Sequence, residues 1–134
     1  GQGAIKHIWI VDSSPAGRLS IFRIYFDGQS NPCVEAPLYD FFCNADNTEY
    51  RQINSLPICY NPRRGMNCYF EMPYFKSFRI EIENLHTEDI MIYYQIDCEE
   101  KEIDASSLYF HAQYRRVNPL PYMEAYTILD NIKG

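Results

Sequence analysis

Hydrophobic and polar residues alternate with a period of two along most of the chain. Ser20, Phe22, Ile24 and Phe26 alternate with Arg23, Tyr25 and Asp27. Phe78, Ile80 and Ile82 alternate with Arg79, Glu81 and Glu83, and Ile90, Ile92, Tyr94 and Ile96 with Met91, Tyr93, Gln95 and Asp97. Side chains on a strand point to opposite faces in turn, so each pattern predicts a strand with one dry face and one wetter face. Further strands are predicted at Ala4–Asp12, Cys33–Pro37, Ser55–Tyr60, Met66–Met72, Leu108–Arg116 and Tyr122–Leu129. No window of about 11 residues shows the helical period. Only Leu38–Cys43 is short and apolar enough to suggest a helical turn, and the polar stretch Asn44–Arg51 after it predicts an exposed loop.

Turn chemistry separates these runs. Ser13–Gly17 parts the first two strands, and Asp27-Gly28 closes the second. Asn61-Pro62-Arg63-Arg64-Gly65 and Asn118-Pro119-Leu120-Pro121 make further breaks, since proline, glycine and asparagine favour turn conformations. Many short strands without a long helix predict an all-β, antiparallel sandwich, most economically of jelly-roll type.

Composition narrows the picture. Of 134 residues, 46% are apolar and 16% aromatic, which is enough to offset the ordering entropy and exclude a disordered chain. No apolar run approaches the roughly 20 residues of a membrane-spanning helix. Twelve basic against eighteen acidic residues give a net charge of −6, which repels a phosphate backbone and argues against nucleic acid as a partner. The cysteines are Cys33, Cys43, Cys59, Cys68 and Cys98, an odd number without a C-x-x-C pair, and they read as reduced thiols in strands.

Two stretches carry unusual chemistry. In the strand ending at Arg116, period two puts Tyr109, His111, Gln113 and Arg115 on one face and Phe110, Ala112 and Tyr114 on the other. The first face offers directional donors, an amide with both donor and acceptor, and a flat ring, which suits a polyhydroxylated ligand. It also fits an ordinary wetted sheet face with cross-strand pairs. The second stretch is the loop and strand around Arg64, Asn67 and Tyr69, either a ligand-binding loop or a charged hairpin. Glu81 and Glu83 lie two apart on one strand and point the same way, so they read as a solvated face and not as carboxylates flanking a glycosidic bond. His7, His86 and His111 follow no metal-ligand spacing, and no metal or organic cofactor is implied. A Cys68–His111 nucleophile pair has only its residue types in favour.

At these stretches the chain resembles a known family. Asn54-Ser55-Leu56-Pro57, Asn61 through Tyr69, Met72-Pro73, Tyr93-Tyr94-Gln95-Ile96-Asp97, Phe110 through Arg116 and Asn118-Pro119-Leu120-Pro121 resemble glycoside hydrolase family 172, formerly domain of unknown function 2961. Gly3 through Trp9 and Tyr126 through Asp130 are similar as well, so the resemblance spans nearly the whole chain. It implies a bacterial enzyme of two tandem jelly rolls, assembled as a trimer or higher oligomer. The implied reaction cleaves or rearranges α-linked D-fructofuranosides or D-arabinofuranosides with retention. The family's two catalytic glutamates lie in its second half, in motifs resembling G-T-G-T-E-D-Y and D-G-E, and neither motif occurs here. Residues 1–134 therefore match one jelly roll, expected to be the first of two, with no catalytic residue assigned. Arg64, Asn67, Tyr69, His111, Gln113 and Arg115 are the expected contacts to a furanoside-containing glycan or to the second jelly roll. The alternative is a non-catalytic carbohydrate-binding or assembly module. The resemblance leaves the compartment, cytoplasmic or periplasmic, open.

Overall fold

The computed structural model describes residues 1–13, 17–44 and 50–132. Most of the predicted Ser13–Gly17 turn and of the Asn44–Arg51 loop lies outside them. The strands are β1 (Gly3–Asp12), β2 (Ser20–Phe26), β3 (Val34–Pro37), β4 (Ile53–Asn54), β5 (Ile58–Tyr60), β6 (Met66–Cys68), β7 (Met72–Tyr74), β8 (Phe78–Asn84), β9 (Ile92–Glu100) and β10 (Ala112–Gln113). One helical turn, α1 (Leu38–Phe41), falls inside the short stretch that suggested it.

The strands form two sheets. The larger runs β4-β5-β6-β1-β7, with β9 on the other edge of β1. The smaller runs β10-β3-β2-β8. All pairings are antiparallel except β10 with β3, which is parallel. This is the all-β sandwich the alternation predicts. Its core is the inner row of both sheets: Ile5, Ile8, Ile10, Met66 and Met72 from one side, Phe22, Ile24, Phe26 and Val34 from the other, with Leu38 and Phe42 at the end.

Strand β1 holds the larger sheet together, since it pairs along both edges. Its burial does not follow a simple alternation. Ile5 and Ile8 are both fully buried, while Lys6 and His7 between them are not. A bulge explains this: Ile5 pairs with Cys98 and His7 with Asp97, so two steps on β1 match one on β9. The extra residue re-aims the strand and puts His7 and Trp9 on the outer face while Ile8 and Ile10 face the core.

Ser55–Tyr60 shortens to β5, Met66–Met72 splits into β6 and the start of β7, and two later predicted strands shrink or vanish. Of Leu108–Arg116 only Ala112–Gln113 enters a ladder. Tyr122–Leu129 is irregular and exposed, with Tyr122, Met123 and Ile128 largely in solvent. Neighbouring backbone supplies no ladder there, so β-propensity alone does not make a strand.

A single carboxylate ties the end of β2 to two other segments. Asp27, at φ 52°, accepts hydrogen bonds from the N–H groups of Phe75 (2.9 Å), Lys76 (2.6 Å) and Ser77 (2.9 Å) and from the Tyr109 hydroxyl (2.6 Å). Partial burial would push its carboxyl up, but these donors together hold it below the ordinary range. The same bond pushes the Tyr109 hydroxyl up to about 12.

Candidate functional site

The outer face of the larger sheet carries a two-by-three grid of side chains. Strand register places Trp9 of β1 opposite Asn67 of β6 on one side and Gln95 of β9 on the other. One step along, His7 stands opposite Asp97, and Tyr69 stacks on the His7 ring with centroids 4.4 Å apart and planes 3° from parallel. Neighbouring strands lie about 4.8 Å apart, so the grid spans roughly 10 Å, the footprint of one or two sugar rings.

Hydrogen bonds fix the grid. The Asn67 amide N–H groups donate to the carbonyls of Asn61 (3.2 Å), Gly65 (3.4 Å) and Cys59 (3.5 Å), which turns its Oδ1 toward His7. The Nε2–H of His7 then donates to that oxygen at 3.0 Å, while Nδ1 lies 3.0 Å from Asp97 Oδ2. Gln95 donates to Asp97 Oδ1 at 3.0 Å. The Gln95 amide and the His7 ring hold the Asp97 carboxyl below its usual range.

The loop at 61–65 closes one end of this face. Gly65 N–H donates to Pro62 O at 3.1 Å, and Arg63 takes the left-handed conformation at φ 52°. Gly65 is buried, and a Cβ there would stand 3.1 Å from Asn61 O and 3.3 Å from the Trp9 indole nitrogen. Glycine therefore lets the loop lie against Trp9. Arg64 is exposed on the loop.

The second predicted group sits elsewhere. β10 joins the smaller sheet through Ala112 and Gln113, which pair with Val34 and Glu35. His111, Gln113 and Arg115 are exposed beside a groove of about 520 Å³, completed by Tyr126, Ile128 and Leu129. Arg115 donates to Gln113 Oε1 at 3.5 Å. Tyr109 does not share this face. It stacks on Phe26, meets Phe75 edge-on and bonds Asp27, because the chain there is unpaired and turns both Tyr109 and Phe110 toward the core.

The structure thus brings Asn67 and Tyr69 together with Arg64 on the adjoining loop, and places His111, Gln113 and Arg115 on another face. Among the described residues no hydrogen bond or ring contact joins the two groups. Their neighbours do meet: Phe70 packs on Phe110 with centroids 5.2 Å apart. The two groups flank one aromatic seam. His7, Trp9, Gln95 and Asp97 were not singled out from the sequence as site residues. The alternation in 91–97 marked Gln95 and Asp97 as wetter positions, but only strand register shows what lies beside them.

Other candidates take structural roles. Glu83 and Glu35 both pair with Arg23, and Glu81 pairs with Arg79, so the small sheet's outer face is an ion-paired surface. Cys68 is fully buried between the sheets, and burial pushes its thiol up to about 11, far from a nucleophile's range. Among the described residues no group of three or more His, Cys, Asp or Glu side chains is placed to hold a metal ion.

Fold and faces together define a β-sandwich domain that bears polar and aromatic side chains on its outer sheet surfaces. A family model described as GH172 first beta-sandwich domain matches residues 1–130, and the chain belongs to that family. It is the N-terminal sandwich portion of a glycoside hydrolase family. Comparison with curated proteins finds no match.

Proposed function

We propose that this chain is the substrate-presenting sandwich of a retaining glycoside hydrolase that acts on α-linked D-fructofuranosides or D-arabinofuranosides. The catalytic pair comes from a second jelly roll, in an assembly expected to be a trimer or larger. There one glutamate attacks the anomeric carbon and another protonates the departing oxygen, and water then releases the sugar from the enzyme. The observation that supports the reading is the locked amide of Asn67 beside the stacked Tyr69: a rigid hydrogen-bonding group and a flat ring on one open face. Arg64 from the adjoining loop, and His111, Gln113 and Arg115 across the aromatic seam, are the further substrate or interdomain contacts.

The test is release of nitrophenol from 4-nitrophenyl α-D-arabinofuranoside by the full-length protein, beside Arg64→Ala and His111→Ala. Hydrolysis with retention, and a raised KM in either variant, is the expected outcome. A full-length protein without two facing glutamates, or without hydrolysis, refutes it.

A second reading is a non-catalytic glycan-binding or assembly sandwich. One observation favours it for this chain alone. Glu35, Glu71, Glu81 and Glu83 are each engaged by a lysine or arginine on open sheet faces. Carboxylates spent on ion pairs in this way read as a solvated, ion-paired surface. Measurable sugar binding by the full-length protein with no hydrolysis would establish this second reading.

A further inference from the structure

We propose that His7, Trp9, Asn67, Tyr69, Gln95 and Asp97 form a binding platform for a neutral sugar ring on the outer face of the larger sheet. The inference deepens the furanosidase reading and rests on it for the kind of sugar, but the platform stands on its own geometry.

Three features carry it. First, the grid offers flat surfaces. Tyr69 is 49% exposed and is backed by the parallel His7 ring, so its free face presents a supported aromatic plane. The indole of Trp9 lies in the neighbouring row. Sugar rings carry patches of C–H groups that pack on such planes, as apolar surface does elsewhere.

Second, unused hydrogen-bonding capacity surrounds those surfaces. The Trp9 indole N–H and the Tyr69 hydroxyl make no hydrogen bond to any described residue. Gln95 spends one amide N–H on Asp97 and keeps its carbonyl oxygen and second N–H. Asp97 accepts from Gln95 at Oδ1, faces His7 Nδ1 with Oδ2, and has lone pairs to spare. Donors and acceptors are interleaved, which is the pattern a polyol presents in return.

Third, the groups are already oriented. Asn67 is fixed by three carbonyls, His7 by Asn67 and Asp97, and Asp97 by His7 and Gln95. A site whose side chains are locked before binding loses less entropy on taking its ligand. The carboxylate at its edge sets the charge preference: a neutral ring is accepted and an anionic sugar is repelled.

The platform contains the one tryptophan of these 134 residues, so the difference in emission between the full-length protein and its Trp9→Phe variant reports on this face. The experiment follows Trp9 fluorescence of the full-length protein during titration with methyl α-D-arabinofuranoside, with D-galacturonate as the anionic control. The proposal expects a saturable change with the neutral glycoside and none with the acid at equal concentration. It expects binding about fivefold weaker in Gln95→Ala, which loses one hydrogen bond, and about tenfold weaker in Tyr69→Ala, which loses the stacking plane. Both residues are exposed, so the variants stay folded, and circular dichroism checks this. Emission that stays flat with the neutral glycoside overturns the platform, as does equal binding by both variants. So does a Trp9 shielded from acrylamide in the free full-length protein, because another domain would then cover the face. Binding without hydrolysis keeps the platform and removes the furanosidase reading. Hydrolysis with unmoved Trp9 emission does the reverse.

Discussion

Replacing Asp27 by asparagine tests how the end of β2 is anchored. The substitution keeps the shape and suits the left-handed backbone at φ 52°, which Asn tolerates as well as Asp. It removes only the charge and one acceptor. In the native chain Oδ1 takes the N–H groups of Lys76 and Ser77, while Oδ2 takes the Phe75 N–H and the Tyr109 hydroxyl. The best amide orientation keeps oxygen on Lys76 and Ser77. Its NH2 group can donate to Tyr109, whose hydroxyl rotates to accept. It then faces the Phe75 N–H, donor against donor. One half-buried donor is orphaned and three charge-assisted bonds become neutral ones. The cost is about 2–3 kcal/mol. For a domain of this size that lowers Tm by roughly 6–12 °C.

The acid profile gives an independent reading of the same site. Because Asp27 is held below its ordinary value of 3.8, the folded chain binds fewer protons there than the unfolded one. Its contribution is fully present above that ordinary value and is lost as pH falls through the lower folded value. The asparagine variant has no such titration, so the difference in stability between the two proteins should shrink in acid. Urea denaturation at neutral pH and near pH 3 measures both terms. Tyr109→Phe should cost about 1 kcal/mol, and less in the Asp27→Asn background, since the two share a bond. A cost below about 0.5 kcal/mol at neutral pH, or a pH-independent difference, would refute the reasoning.

Four further outcomes follow from the packing. Gly17→Ala should cost about 1–3 kcal/mol in urea denaturation, because a Cβ would stand 2.0 Å from the Tyr39 ring. Arg23→Met should cost about 1 kcal/mol, with part of the loss screened by salt, since Arg23 bridges Glu35 and Glu83 across three strands while Glu71→Gln, in the exposed cluster with Lys6 and Lys101, should change stability by less than about 1 kcal/mol. In thiol labelling of the native protein, the exposed Cys43 and Cys98 should react first and the buried Cys68 only on unfolding.

The sandwich was legible because its core strands alternate cleanly. Phe22, Ile24 and Phe26 predict β2, and Phe78, Ile80 and Ile82 predict β8. Propensity misled where no neighbour completes a ladder: Tyr122–Leu129 has the residues of a strand and no partner. Tyr109 left its predicted face for a related reason, since strand parity holds only where strand pairing enforces it. The site was half legible. Asn67 and Tyr69 stand in a motif dense with turn and polar residues, so local sequence marks them. His7, Trp9, Gln95 and Asp97 lie on β1 and β9, far apart in the chain, and nothing local says that those strands pair or in which register. The furanoside class came from family resemblance and not from any of these patterns.

The bulge at Lys6 sets the phase of the longest strand. Residues before it and after it write their inward positions on opposite parities, so Ile5 and Ile8 both reach the core although three apart. The outer face of β1 is therefore specified by a count and not by the identity of the extra residue. Many side chains would serve at position 6. Were the strand to pair regularly through Lys6, without the bulge, His7 and Trp9 would swing inward and Ile8 and Ile10 would turn to solvent, with every residue unchanged. The bend in the backbone, and not the letter at position 6, keeps the two halves of the strand in phase.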